Sequence, residues 1–253
     1  HLDPSHPTVG PIRLDWEAGR HVKAANALVH YFDRKAFPLE VLEPISFHPD
    51  LINHMEAALE DRFHLLEDWE TVPRMTGGRL DWAHRGDRED KEWAWMLNRH
   101  DLFPDLAEAY RRTGNPAFRN YLNEVWQDWI LNSPYPDRLT FSVQWRALEV
   151  ARRMLNAWVH VFYDQSNVLD PQTRLLILAS VLDHGDALRE HASFWGGNHL
   201  ISEKLALLTL TFAFPEFVDS GEWQAYAIKQ VSSQLMSQFY PDGSYKELSN
   251  HYQ

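Results

Sequence analysis

The feature that most constrains this chain is a succession of helix-period apolar stripes, cut at short intervals by proline, glycine and asparagine. Trp93 to Arg112 ends at Thr113-Gly114-Asn115-Pro116, and Ala117 to Leu131 ends at Ser133-Pro134-Tyr135-Pro136. Such clusters stop one helix and start the next. Ser142 to Tyr163 carries Val143, Leu148, Ala151, Leu155, Trp158 and Phe162 on one face. Asp170-Pro171 then opens Gln172 to Glu190 in the N-cap and first-turn arrangement that suits aspartate and proline. Leu200 to Phe214 and Glu222 to Phe239 complete the series, and Trp16 to Phe32 and Asp50 to Leu66 precede it. About eight helices of roughly 12–20 residues, with short links and no convincing strand hairpin, predict an all-α chain. Serial helical hairpins of this kind close into a bundle, a solenoid or an α/α toroid. The segmentation reads as a single domain over 1–253, with an arm and first helix in 1–48 and the main hairpin array in 49–253. Residues 1–13 read as an irregular arm, and the stretch around Pro73 to Trp82, where periodicity is lost, as a long loop of the kind that often carries function.

Composition adds exclusions. With 44% hydrophobic and 24% charged residues the chain has ordinary globular material. Its formal net charge of −12 argues against nonspecific nucleic-acid binding, which needs a basic field. There is no cysteine, so thiols and disulfides play no part, and no apolar run is long enough for a membrane span. Eleven Trp and 13 Phe fit either an aromatic helical core or a groove in which indoles stack on sugar rings. The chain opens on His1-Leu2-Asp3-Pro4 rather than Met, without a visible signal peptide, as a processed or trimmed product would.

The last sixty residues hold polar groups without an evident structural task. Asn198 and His199 follow a Gly-Gly pair at the entrance to a strongly apolar helix. Asparagine there is also a favoured N-cap, and histidine can serve a helix start, so both readings stand. Glu203 lies one turn after His199, so the two can face one cleft; as a metal pair they lack a third ligand at convincing spacing. Tyr252 ends a polar segment beside His251, and its phenol becomes a base only where charge or hydrogen bonds lower its pKa. Asn98-Arg99-His100 and Trp145-Arg146 each combine a guanidinium with neighbouring polar or aromatic groups, and arginine suits a bidentate grip on a carboxylate or sulfate. The chain has no phosphate loop, zinc-protease helix motif or serine nucleophile elbow.

Taken in order, Asp90 to His100, Ala109 to Gly114, Trp145 to Arg153, Gly197-Asn198-His199, Phe214 to Phe217, Tyr240 to Ser244 and Glu247 to Tyr252 resemble the N-terminal domain of the heparinase II/III-like polysaccharide lyases, closest to the heparinase III branch. The resemblance spans roughly residues 60–253. It implies an incomplete α/α toroid followed by a C-terminal β-sandwich domain that this chain lacks, and β-elimination of uronate polymers such as heparan sulfate or heparin-like chains. It places Asn198 on the group that neutralises the uronate carboxylate, Tyr252 on the phenol that moves protons, and His199 on a histidine used in some branches. Arg99, Asn98, His100, Trp145, Arg146, Trp82, Glu203 and His251 are then expected along the anionic polysaccharide. No cofactor or metal is expected in this segment, although the β-sandwich domain could hold a metal. The same resemblance implies a periplasmic or secreted protein, and a fragment whose own activity depends on the β-sandwich domain. The rival expectations are an alginate or other polyuronate lyase, an α/α-barrel glycoside hydrolase with two facing carboxylates, and a noncatalytic carbohydrate-binding domain.

Overall fold

A computed structural model describes residues 1–136, 142–164, 168–191, 197–244 and 246. Its helices are α1 (Val9–Glu17), α2 (His21–Arg34), α3 (Leu51–Ala58), α4 (Lys91–Leu97), α5 (Leu102–Thr113), α6 (Pro116–Asn132), α7 (Ala147–Arg153), α8 (Val159–Asp164), α9 (Pro171–Glu190), α10 (Gly197–Ala213) and α11 (Ser220–Gln238). A π-helical segment, Met154–Trp158, joins α7 to α8 without interruption.

The caps read from the sequence form as the residue types require. Gly114 adopts a left-handed φ of 68° behind α5, and Asn115 Oδ1 accepts the Ala117 N–H at 3.0 Å to start α6. Asp170 likewise accepts the Thr173 N–H at 2.7 Å at the head of α9. Both caps satisfy donors that the first helical turn leaves unpaired.

Short connections fold these helices into two layers. Among the described residues, α5, α7–α8 and α10 pack on one another as the inner layer, and α6, α9 and α11 back them as the outer layer. The inner helices run parallel. Tyr163 Oη, at the end of α8, donates to the Ala213 carbonyl at the end of α10, and Phe162 lies 5.4 Å from Phe214. At the opposite end Arg99, just before α5, pairs with Glu149 in the first turn of α7. This is an incomplete α/α toroid. The approach of α9 to α11 is glycine-dependent: a Cβ on Gly185 of α9 would meet the Trp223 ring of α11 at 2.2 Å.

The C-terminal ends of the inner helices are covered by the N-terminal segment. Phe32 of α2 packs on Phe162 and Phe214, with ring centroids at 5.7 and 5.9 Å. Glu216 is almost fully buried and accepts from Tyr31 Oη at 2.5 Å and Lys35 Nζ at 2.9 Å. The arm before α1 is therefore ordered. Asp3 donates its N–H to the Glu216 carbonyl at 2.8 Å, Val218 donates to the His1 carbonyl at 2.9 Å, and α1 begins already at Val9.

Other expectations need correction too. The stripe from Trp16 to Phe32 is two helices, since Gly19 turns the chain with φ 77°. The stripe from Asp50 to Leu66 is helical only to Ala58. It continues as a strand, β1 (Arg62–Leu65), paired antiparallel with β2 (Asp68–Thr71). The hairpin turn is Leu66-Glu67, both at positive φ (51° and 70°), the geometry of a type I′ turn. Neither residue type signals such a turn, so the sequence pattern hides it.

Trp93 to Arg112 also divides, because Asn98 and His100 are drawn into tertiary hydrogen bonds. Asn98 Nδ2 donates to the Trp82 carbonyl at 2.7 Å, and its Oδ1 accepts from Trp129 Nε1 at 2.9 Å. His100, at φ 63°, accepts from Trp158 Nε1 at 2.8 Å. Side-chain bonds to buried indoles thus override the helical stripe.

Beneath this corner lies a buried cation. Arg153 is inaccessible to solvent, donates from Nε to His184 Nε2 at 2.7 Å and from Nη1 to the Gln144 carbonyl at 2.7 Å, and lies 4.4 Å from the Trp129 ring and 5.1 Å from Trp145. His184 contacts the Ser180 carbonyl through Nδ1 at 2.6 Å. Accepting at Nε2 and donating from Nδ1 requires the neutral ring. Burial and then the Arg153 charge hold the His184 pKa well below its ordinary value.

Gly185→Ala should destabilise the chain by about 1–3 kcal/mol, because the Trp223 ring must give way, and a lowered thermal midpoint checks it. For His184, the unfolded state binds the proton that the folded state refuses. Its contribution is therefore full above pH about 6.5 and shrinks as pH falls below that value. Asp105, pushed up to about 7 by burial and by Asp101, works in the opposite direction. The clean observable is consequently the stability of wild type minus that of His184→Gln, which should narrow between pH about 8 and about 5.5.

Candidate functional site

Parallel inner helices bring their N-terminal ends to one rim. Each such end carries unpaired backbone N–H groups and the positive pole of a helix dipole, so the rim favours anions before any side chain is considered. At α10 the chain turns on Gly197, with φ 77°, and places Asn198 and His199 in the first turn, both half-buried. Asn198 Oδ1 accepts the His199 N–H at 2.8 Å. The N-cap reading of Asn198 needs correction: α10 already begins at Gly197, and the Asn198 side chain accepts from the next residue rather than from the N–H two or three residues on that a cap would satisfy.

At the neighbouring inner helices the rim carries guanidiniums. Arg99 donates from Nε to Glu149 Oε2 at 2.6 Å, and Arg146, the residue that precedes α7, donates to Glu149 Oε1. Glu149 is fully buried, whereas the two arginine side chains keep 21% and 30% of their surface. The Arg146 guanidinium also lies 3.9 Å from the centre of the Trp95 ring, a close cation–π contact. Asp101 and Arg152 stand in the same field.

The sequence-derived residues fall into groups. Asn198, His199, Arg99 and Arg146 are at the rim. Asn98, His100, Trp82 and Trp145 lie inside the wall. Trp82 Nε1 donates to Asp128 at 2.7 Å and Trp145 Nε1 to the Ser133 carbonyl at 2.8 Å, and every one of these side chains is nearly or fully buried. Glu203 is also fully buried, beside Lys204 on α10. Lys204 reaches the Leu188 carbonyl, and burial brings its pKa down to about 8. Tyr252 and His251 lie outside the described residues.

Sequence reading missed Glu149 and Trp95. Glu149 stands three residues after Arg146, a spacing that signals a helical ion pair. Its link to Arg99 is fifty residues away in sequence and left no local trace. Among the described residues no group of three His, Asp or Glu side chains is placed to hold a metal ion, and no helix is long and apolar enough to cross a membrane.

Comparison with known proteins agrees with this architecture. A heparin-sulfate lyase of Bacteroides thetaiotaomicron is 29% identical over 262 residues, covering 98% of this chain and 37% of the relative. One from Bacteroides stercoris is 24% identical over 273 residues, covering 99% and 40%. A crystal structure of heparinase III superposes with a TM-score of 0.84 at 28% identity, covering 99% of this chain and 40% of that one. The heparan sulfate lyase from Pedobacter heparinus shares the fold, with a TM-score of 0.79 at 23% identity. The chain thus spans about two-fifths of the length of these relatives. The family model of the heparinase II/III N-terminus matches residues 1–253, and the chain belongs to that family.

Proposed function

We propose that this chain is the N-terminal toroid of a polysaccharide lyase that cleaves heparan sulfate or a heparin-like glycosaminoglycan by β-elimination. The observation that carries the reading is the position of Asn198, at the head of an inner helix of a heparinase II/III toroid and on the rim that bears Arg99 and Arg146. The C5 proton of a uronate is weakly acidic because its removal places a second negative charge beside the carboxylate. The Asn198 amide, aided by His199 and the positive end of α10, is suited to hold that carboxylate as the charge develops. Tyr252 takes the C5 proton as the C4–O bond breaks and the C4–C5 double bond forms, and a proton returns to the leaving glycosidic oxygen. Electrons and atoms balance without redox or a covalent enzyme intermediate.

The same reading makes a C-terminal β-sandwich domain the partner that completes the cleft, assigns residues 1–253 to one toroid domain, and makes the protein periplasmic or secreted. No cofactor is required of this segment. The net charge of −12 favours a second reading, in which the substrate is an unsulfated polyuronate such as alginate.

The test is the ultraviolet absorbance of unsaturated uronate when the full-length protein is mixed with heparan sulfate and, separately, alginate. A rise with heparan sulfate supports the first reading and a rise with alginate alone the second. New reducing ends without absorbance would replace elimination by hydrolysis. Asn198→Ala should lower kcat about 100-fold or more, as loss of one oxyanion donor does. Tyr252→Phe should abolish turnover while leaving binding of the polymer intact.

A further inference from the structure

α5 and α7 meet at the rim through one carboxylate with an unusual division of labour. Glu149 is fully buried, and its two oxygens are split between Arg99 and Arg146. Among the described residues it is the only hydrogen-bonding partner of either guanidinium, so each spends one N–H on Glu149 and keeps its others. A single arginine would neutralise Glu149. The second leaves the cluster positively charged, and with Arg152 and Asp101 counted the excess is still positive, in a chain of net charge −12. Trp95 beneath Arg146 fixes the plane of that guanidinium. Two partly exposed guanidiniums held from behind by a buried anion form a preorganised anion receptor, because neither side chain must be ordered when the ligand arrives.

We propose that Glu149 is a positioning residue that holds Arg99 and Arg146 as a paired receptor for one anionic substituent of the polysaccharide, sulfate or carboxylate, on the rim that carries Asn198. This rests on the reading of the rim as the site of an anionic polysaccharide, and it assigns the pair to ground-state grip rather than to chemistry.

The experiment is steady-state elimination by the full-length protein on heparan sulfate and on the same polymer after chemical desulfation, with Arg99→Gln, Arg146→Gln and Glu149→Gln. Each variant should raise KM about tenfold, the value of a charge-assisted contact, with kcat within about twofold of wild type. Glu149→Gln added to the Arg99→Gln/Arg146→Gln pair should raise KM little further, because no guanidinium is left for it to position. A KM penalty that disappears on the desulfated polymer identifies the substituent as sulfate, and one that persists identifies it as carboxylate. Unchanged KM in both arginine variants overturns the proposal. So does a Glu149→Gln protein that melts earlier with KM unchanged, since that is a purely structural tie. Where Glu149→Gln does not fold, Glu149→Asp, which keeps the charge but withdraws it, should show the same rise in KM, and an unchanged KM overturns the positioning role. If the wild type eliminates no polymer, the lyase reading fails by itself. Calorimetric binding of heparan sulfate then decides: weaker binding by Arg146→Gln upholds the receptor, and equal binding removes it.

Discussion

The inner wall depends on a guanidinium buried without a carboxylate at hydrogen-bonding distance. Desolvation of Arg153 brings its pKa down to about 9, so it remains charged at neutral pH and must be stabilised where it lies. The wall supplies that stabilisation from two indole faces, Trp129 and Trp145, from His184 and from the Gln144 carbonyl. Those partners belong to α6, to the segment before α7 and to α9, so one cation joins inner layer, outer layer and connecting loop. A lysine could not replace it, because a point charge lacks the planar face and the spread of donors that reach all of them. Among the described residues Trp129 and Trp145 meet this demand directly, and the other buried tryptophans serve general core packing. Trp126, Trp129 and Trp158 are fully buried, and Trp82, Trp93, Trp145 and Trp223 nearly so, which places most of the aromatic surplus in the wall.

How far the fold could be read from the sequence depends on which signals are local. Asp170-Pro171 and Gly114-Asn115-Pro116 act within one turn of chain, and the helices they bound appear within a residue or two of expectation. The break at Asn98 to Asp101 is not local. Its cause is Trp129 and Trp158, which reach Asn98 and His100 from other helices. The β1–β2 hairpin escaped for the opposite reason. Its turn residues, Leu66 and Glu67, are poor type I′ formers held at positive φ by the pairing of Arg62 with Thr71 and of Leu65 with Asp68. The N-terminal arm is ordered by contacts with Glu216 and Val218, residues more than two hundred positions away.

The candidate site was legible in residue types able to meet an anion, but not in which of them are exposed. Asn198, Arg99 and Arg146 could be singled out as groups able to meet an anion, and they share a rim. Asn98, His100, Trp82, Trp145 and Glu203 offered the same chemistry on paper, yet their polar atoms or rings are committed inside the wall. Burial, not residue type, separates the groups, and burial depends on which helices are inner. Hairpin periodicity could not supply that distinction, since inner and outer helices alternate and each carries apolar residues into the core.

On the proposed reading, an acidic chain that holds an anionic polymer needs its favourable field confined to a small region. Layer parity provides it. Because each outer helix reverses the chain, every inner helix presents the same pole, and the N-terminal ends of α5, α7 and α10 add in one place instead of cancelling. Side chains then concentrate the effect. Glu149 is buried, where its charge is spent on two guanidiniums, while those guanidiniums keep their remaining donors toward the rim. At the far end the charges are internally balanced, with Glu216 against Lys35 and Arg174 against Asp33. Screening at physiological salt limits the reach of the global −12 to about 8 Å, so an anion at the rim responds chiefly to the local arginines and helix ends. On the proposed reading, the overall charge therefore sets how readily a polyanion approaches, and the rim sets whether it is held.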